Sequence, residues 1–188
     1  LKNIKTVLWF GSPREDGHTA RLVQAFLDHL AGDVHVVDAY KRGISPCVDC
    51  KFCIERKGCS ISDDMEQIYG HIEACDNVVI ASPVFFSELA GPLLSAASRL
   101  QTYYCSRRFR GEEPMPRVKR GGILLTAGGD GSPERAAGTA KTLLKHMRAI
   151  ELRPAVISRK TDRVPAAEDE EALRGAWELA EWMSEERA

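Results

Sequence analysis

The chain has no excess of either charge. Its 188 residues carry 26 Lys and Arg against 27 Asp and Glu, a formal net charge of −1. That argues against a nucleic-acid binder working through bulk charge. Long apolar runs are missing as well: none reaches the roughly 18 residues of a membrane span. Leu1-Lys2-Asn3-Ile4-Lys5 offers no apolar signal region before charges intervene. A cytoplasmic protein with no membrane and no nucleic-acid partner is the resulting expectation. There is no internal repeat and no low-complexity linker. No Ser/His/Asp set, paired-carboxylate site or metal-hydrolase motif stands out, so no catalytic side chain is assigned. What is present, 44% apolar and 28% charged residues, is the ordinary mix of a globular chain. Its length suits one domain, expected over residues 1–188.

Strand and helix signals alternate. Ile4 to Phe10 is a short, β-branched apolar run stopped by Gly11-Ser12-Pro13, a buried strand ending in a turn. Leu22, Val23, Phe26, Leu27 and Leu30 follow helical spacing over Thr19 to Leu30, with Gly32 beyond the end. Val34 to Val37 is a second strand. Asp63 and Glu66 resemble a capping box ahead of a helix carrying Met65, Ile68 and Ile72. Val78 to Ala81 is a third strand, stopped by Ser82-Pro83, and Leu89, Leu93, Ala96 and Leu100 mark the next helix. Gly122 to Thr126 is a fourth strand. Ser132 as N-cap and Pro133 at the first position open a helix with Leu143, Leu144, Met147 and Ile150 on one face. Ala155 to Ile157 is a fifth strand. A last helix carries Leu173, Trp177, Ala180 and Met183, with Glu168 to Glu171 at its positive end. Continuous apolar strands alternating with helices predict an α/β fold, a parallel sheet covered on both faces. Arg107 to Arg120, rich in basic residues, is expected to be a solvated loop, with an anion site or a subunit contact as alternatives.

In such sheets ligands bind beyond the carboxyl ends of the strands. After strand one, Gly11 to Thr19 leads into a helix N-terminus, where backbone N–H groups and the helix dipole favour an anion. Ser12 and Thr19 add hydroxyls and Arg14 a guanidinium suited to phosphate. The loop is neither a Walker loop nor Gly-x-Gly-x-x-Gly. After strand three, Phe85 and Phe86 can wall a flat ring. After strand four, Thr126 to Gly131 lets backbone approach a ligand closely. A phosphate pocket beside a planar-ring pocket fits a mononucleotide.

As a set, Gly11-Ser12-Pro13-Arg14, Gly17-His18-Thr19, Ser82 to Phe86 and Thr126 to Gly129 resemble the NAD(P)H-dependent FMN reductase and multimeric flavodoxin family. Pro46-Cys47 to Cys59, followed by Asp63-Asp64-Met65, resembles its iron–sulfur flavoprotein branch. The resemblance implies a flavodoxin-like three-layer sandwich with a five-stranded parallel sheet in the order 2-1-3-4-5, and a Cys-rich insertion at about 41–61. It implies bound FMN, with the phosphate held by Ser12, Arg14, His18, Thr19 and Ala20. The isoalloxazine ring would meet Pro83, Val84, Phe85, Phe86 and Ser87, and Thr126, Ala127, Gly128 and Gly129 would complete the site. It further implies a homodimer or homotetramer with FMN near the subunit interface.

Cys47, Cys50, Cys53 and Cys59 fall within 13 residues; Cys75 and Cys105 stand apart. Four thiolates at this spacing suit a 4Fe-4S cluster. Zinc fits less well, since structural zinc usually uses two separated pairs, and disulfides fit poorly in a reducing compartment. Free thiols are the remaining alternative. Cys75 is expected to be a buried small hydrophobe, and Cys105 is given no chemistry. The leading expectation is an FMN oxidoreductase passing electrons from NAD(P)H or a ferredoxin-like donor to a small-molecule acceptor. The alternatives are a non-enzymatic flavodoxin-type carrier, a thiol redox sensor without a cluster, and a zinc-binding module.

Overall fold

The computed structural model describes residues 3–41, 43–129 and 131–186. Leu1, Lys2 and Asp130, which figured in the N-terminal and glycine-turn readings, lie outside the described residues. In chain order the elements are β1 (Lys5–Phe10), α1 (His18–Leu27), β2 (Asp33–Asp38), α2 (Phe52–Glu55), α3 (Met65–Ala74), β3 (Asn77–Phe85) and β4 (Glu88–Leu89). Then come α4 (Gly91–Ala97), α5 (Gln101–Cys105), β5 (Lys119–Ala127), α6 (Glu134–His146), β6 (Ala149–Leu152), β7 (Val156–Arg159) and α7 (Glu170–Ser184). A 3₁₀ turn, Ser98–Leu100, joins α4 to α5, and a π-helical turn, Ser106–Arg110, extends α5.

The parallel sheet runs β2-β1-β3-β5-β6, and β7 also pairs with β5. This is the flavodoxin-like order with one change. The fifth position is shared: β6 pairs with the start of β5 and β7 with its end. Arg153-Pro154-Ala155 interrupts the edge, and Pro154 cannot donate a ladder bond there. The expected five strands are therefore seven among the described residues. One of the two extra comes from that shared fifth position; the other is β4, because β3 runs past Ser82-Pro83 to Phe85 and folds back as an antiparallel hairpin.

Apolar side chains fill both faces of the sheet. Leu22 and Phe26 of α1 pack with Leu8, Val79, Leu124 and Leu179 on one face. Met65, Ile68 and Ile72 of α3 pack with Trp9, Ile80 and Leu93 on the other. Fully burying such a side chain stabilises by about 1.5–3 kcal/mol. All nine residues of β5 are buried, as a central strand requires.

Several local readings change. Lys119 and Arg120 do not lie in a solvated loop; they open β5, and Arg120 bonds the carbonyls of Trp182 and Glu185. Leu89 belongs to β4 and Ile150 to β6, where Ile150 is exposed, so neither supports a helix. Pro133 rather than Ser132 caps α6, and Asp169 caps α7 by accepting from Ala172 N at 3.0 Å. Trp177 is partly exposed and lies against His29, its ring 5.1 Å away. The Asp63–Glu66 capping box is replaced: the cap position is Asp64, and Asp63 turns to Arg99.

Candidate functional site

The sheet register brings three loops to one edge. Phe10 pairs with Ala81, and Pro83 with Thr126, so the chain leaves β1, the end of β3 and the end of β5 side by side. Gly11 N donates to Ala81 O at 2.8 Å, which ties the first loop to the third strand. A Cβ at Gly11 would stand 2.6 Å from Leu93 Cδ1 and 3.0 Å from its Cβ, so a larger residue would have to displace Leu93.

The α1 N-terminus opens on this edge. Its cap is Gly17, no side chain caps it, and its first turn holds no acidic residue. Its positive end thus meets no carboxylate of its own first turn. Ser12 is buried, and its hydroxyl bonds both the amide and the carbonyl of Arg14 at 3.3 Å, which shapes the turn. Thr19 Oγ1 and Thr126 Oγ1 lie 2.7 Å apart, both buried, so the first and third loops share a hydroxyl bridge. His18 Nδ1 accepts from Ala166 N at 3.3 Å. Arg14 is exposed, and Ala20 sits half-buried in the first turn.

The second loop is a tight hairpin. Phe86 and Ser87 both take left-handed backbone, φ 52° and 63°, to make the two-residue turn between β3 and β4. A bulky aromatic at positive φ is strained. Phe86 is fully exposed and Phe85 half-exposed, while Pro83, Val84 and Ser87 are part-buried. Glu88 anchors the hairpin to α6 through Arg135 at 3.4 Å. In the third loop, Ala127 is buried while Gly128 and Gly129 are exposed.

The cysteine segment forms a second centre. It follows β2, the outer strand, and lies across α2, the 3₁₀ turn and α5. Cys47, Cys50, Cys53 and Cys59 all line one cavity of about 120 Å³, and Cys105 of α5 lines it too. Asp49 and Lys51, on either side of Cys50, have φ 53° and 66°, so the loop doubles back sharply there. The exposed Cys50 Sγ lies 3.1 Å from Ser60 Oγ; that bond and the Phe52 amide hold its thiol below the usual range. Burial and a bond from Cys105 push the Cys53 thiol up to about 12. Among the described residues, no three His, Cys, Asp or Glu side chains converge on a single-ion site. The cysteines line a shared cavity instead.

The cysteine loop is held from outside. Cys47 N donates to Ser98 Oγ at 2.9 Å, and Thr102 Oγ1 donates to Gly58 O at 3.0 Å. Arg110 of the π-helical turn donates to Cys53 O. Arg99, fully buried, donates to Ser45 O at 3.0 Å, Ile61 O at 3.0 Å and Asp63 at 2.7 Å. Asp63 also accepts from Ser45 N and Met65 N. Burial raises the Asp63 carboxyl, but Arg99 and those amides outweigh it and hold it low.

A family model described as NADPH-dependent FMN reductase matches residues 4–162. The chain belongs to that family. An iron–sulfur flavoprotein of Archaeoglobus fulgidus is 29% identical over 145 residues, covering 76% of this chain and 63% of that protein. One from Methanocaldococcus jannaschii is 30% identical over 125 residues, covering 64% and 59%. The chain spans less than two thirds of the length of either relative. Among solved structures, an NAD(P)H:quinone oxidoreductase from Methanothermobacter marburgensis superposes with a TM-score of 0.74 at 15% identity, covering 100% of this chain and 99% of that one. An FMN-dependent NADH-azoreductase from Bacillus anthracis, solved with FMN, superposes at 0.62 with 9% identity, covering 98% and 100%.

Against this family frame, the structure gathers the expected residues of all three loops at one sheet edge and the four motif cysteines at another place. The fourth wall of the first site has no local sequence signal. Thr161 N donates to Ala127 O at 3.0 Å, and Asp162 accepts from Gly129 N at 3.0 Å. The outer frame of the second is scarcely marked either: Ser98, Arg99, Thr102, Cys105 and Arg110. Only the run of polar residues on an otherwise apolar helical segment hinted at that frame. Cys75 is buried with its thiol raised to about 12 by burial, as a small core residue should be.

Proposed function

We propose that the chain is an FMN-dependent oxidoreductase that moves electrons from NAD(P)H or a ferredoxin-like donor to a small acceptor. In this reading Cys47, Cys50, Cys53 and Cys59 hold a 4Fe-4S cluster. The observation that carries it is that the four motif cysteines line one cavity on a fold of the FMN reductase family. The donor set fits: all four are free thiols, and the cavity admits a compact inorganic group rather than a drug-sized ring.

The first site fits FMN on its own chemistry. The uncapped α1 N-terminus, with Ser12, Arg14, His18, Thr19 and Ala20, supplies donors for a phosphate. Pro83, Val84, Phe85, Phe86 and Ser87 supply a wall for the ring, and Thr126 to Gly129 supply backbone that comes close. FMN, when bound, supplies hydride and single-electron exchange, and the cluster supplies one-electron exchange. The residues bind, orient and exclude water. The cysteine segment follows β2, the outer strand, while the three loops follow β1, β3 and β5. A homodimer or homotetramer would let one subunit's cysteine loop approach another's flavin. The free thiols suit a reducing, cytoplasmic setting.

The exposed, activated Cys50 favours one second reading, a thiol redox sensor without a cluster. Anaerobic purification followed by a visible spectrum and iron and sulfide assays decides between them. Flavin bands with about four irons per chain support the proposal. Flavin bands without iron, even after anaerobic reconstitution, favour the second reading. Turnover with NAD(P)H separates an enzyme from a pure carrier.

A further inference from the structure

One buried cation in the cavity wall has a donor left over. The Arg99 side chain is fully enclosed, and its two terminal nitrogens are engaged by Ser45 O, Ile61 O and Asp63. Its Nε is also buried, and no acceptor meets it. A buried N–H without an acceptor is destabilising, and native folds leave few such groups. Arg99 itself lines the thiol cavity. The carbonyl it grips, Ile61 O, lies two residues beyond Cys59, so the guanidinium is fixed beside that end of the motif. Tyr69 Oη donates to Arg99 O at 2.9 Å and locks the backbone that carries it.

The chemistry of the cavity supplies the missing acceptor. Four cysteine thiolates around an iron–sulfur core leave a net negative group with sulfur acceptors on its surface. In a half-buried cavity N–H donors to sulfur stabilise such charge, and arginine is the side chain whose donors stay charged when enclosed. Asp63 alone already matches the Arg99 charge, but it leaves Nε unused.

We propose that Arg99 is a positioning residue for the group held by Cys47, Cys50, Cys53 and Cys59, donating its Nε–H to a sulfur of that group. This rests on the cluster reading above. The clamp on the loop backbone and the donor to sulfur are two separate duties of one guanidinium. Donation to sulfur stabilises the more negative, reduced form, so it raises the midpoint potential.

The test uses the full chain reconstituted anaerobically as wild type, Arg99→Lys and Thr102→Val. FMN content checks that each is folded, iron and sulfide report loading, and a redox titration gives the cluster midpoint. Thr102→Val loosens the loop clamp without touching a charge, so its midpoint stays at the wild-type value. Arg99→Lys keeps the charge but removes the fork and Nε–H. The expected result is an iron-loaded variant with a clearly more negative midpoint. An unmoved midpoint overturns the proposal, as does an Arg99→Lys chain that keeps FMN but takes up no iron, since Arg99 would then be a clamp alone. A wild type that takes up no iron overturns the cluster reading and this inference together. If Arg99→Lys does not fold, wild type decides. With guanidino-¹⁵N arginine, spin-echo spectroscopy of the reduced cluster should show a ¹⁵N coupling, and its absence overturns the proposal.

Discussion

The two centres of this molecule are built by opposite means. The loops beyond β1, β3 and β5 are made by backbone: glycines, helix N-terminus and tight turns, aligned by sheet register. The cysteine loop has almost no regular structure beyond the four residues of α2, and side chains from 98, 99, 102 and 110 hold it. A site framed by a sheet is rigid because the sheet is. A site framed by borrowed side chains depends on each of them, and its weakest point is the one that is buried and charged.

Arg99→Ala should break this contrast most severely. It strands the Asp63 carboxylate, and removing one partner of a buried pair costs about 3–5 kcal/mol. Urea unfolding should register that loss, and iron retention should fall with it, while FMN binding to any folded fraction stays near wild type. The same pair gives a pH signature. The folded Asp63 carboxyl lies below its ordinary 3.8, so its contribution is complete above that value and disappears as pH falls through the lower folded value. The urea midpoint should drop on acidification, and Asp63→Asn should flatten that dependence.

Gly11→Ala sharpens the comparison from the other side. Its Cβ would press on Leu93 at the point where the first loop crosses β3, and overpacking of this kind costs about 1–3 kcal/mol. FMN affinity should fall while iron loading does not. Thr19→Val removes one half of the buried hydroxyl bridge and leaves Thr126 unpaired, a loss of about 1–3 kcal/mol readable by thermal melts. Phe86→Ala should give the smallest change in stability, within about 0.5 kcal/mol, because the ring is fully exposed. It should nonetheless weaken FMN binding, which fluorescence titration measures. An unchanged affinity would remove Phe86 from the ring-binding wall.

The strands and the first site were legible because they are local. Ile4 to Phe10 and Val78 to Ala81 are apolar runs closed by turn residues, and a helix N-terminus announces itself in Gly17-His18-Thr19. The fifth strand is half legible, since Ile150 fits a helical face and only pairing with β5 makes Ala149–Leu152 a strand. Basic residues misled for the same reason. Lys119 and Arg120 look solvated by composition, yet they are buried at the start of the central strand, with Arg120 Nη1 held by carbonyls 62 and 65 residues away.

Sequence alone determined the alternation of strand and helix, the phosphate-suited first loop and the cysteine spacing, because hydrophobic period, turn chemistry and ligand spacing are properties of neighbouring residues. Tertiary structure decided which distant groups complete each site: Thr126 for Thr19, Asp162 for Gly129, and Arg99 with Asp63 for the cysteine loop. Those partners lie 33 to 107 residues apart in the chain. No local pattern encodes such a pairing; it exists only once burial makes an enclosed donor without an acceptor costly.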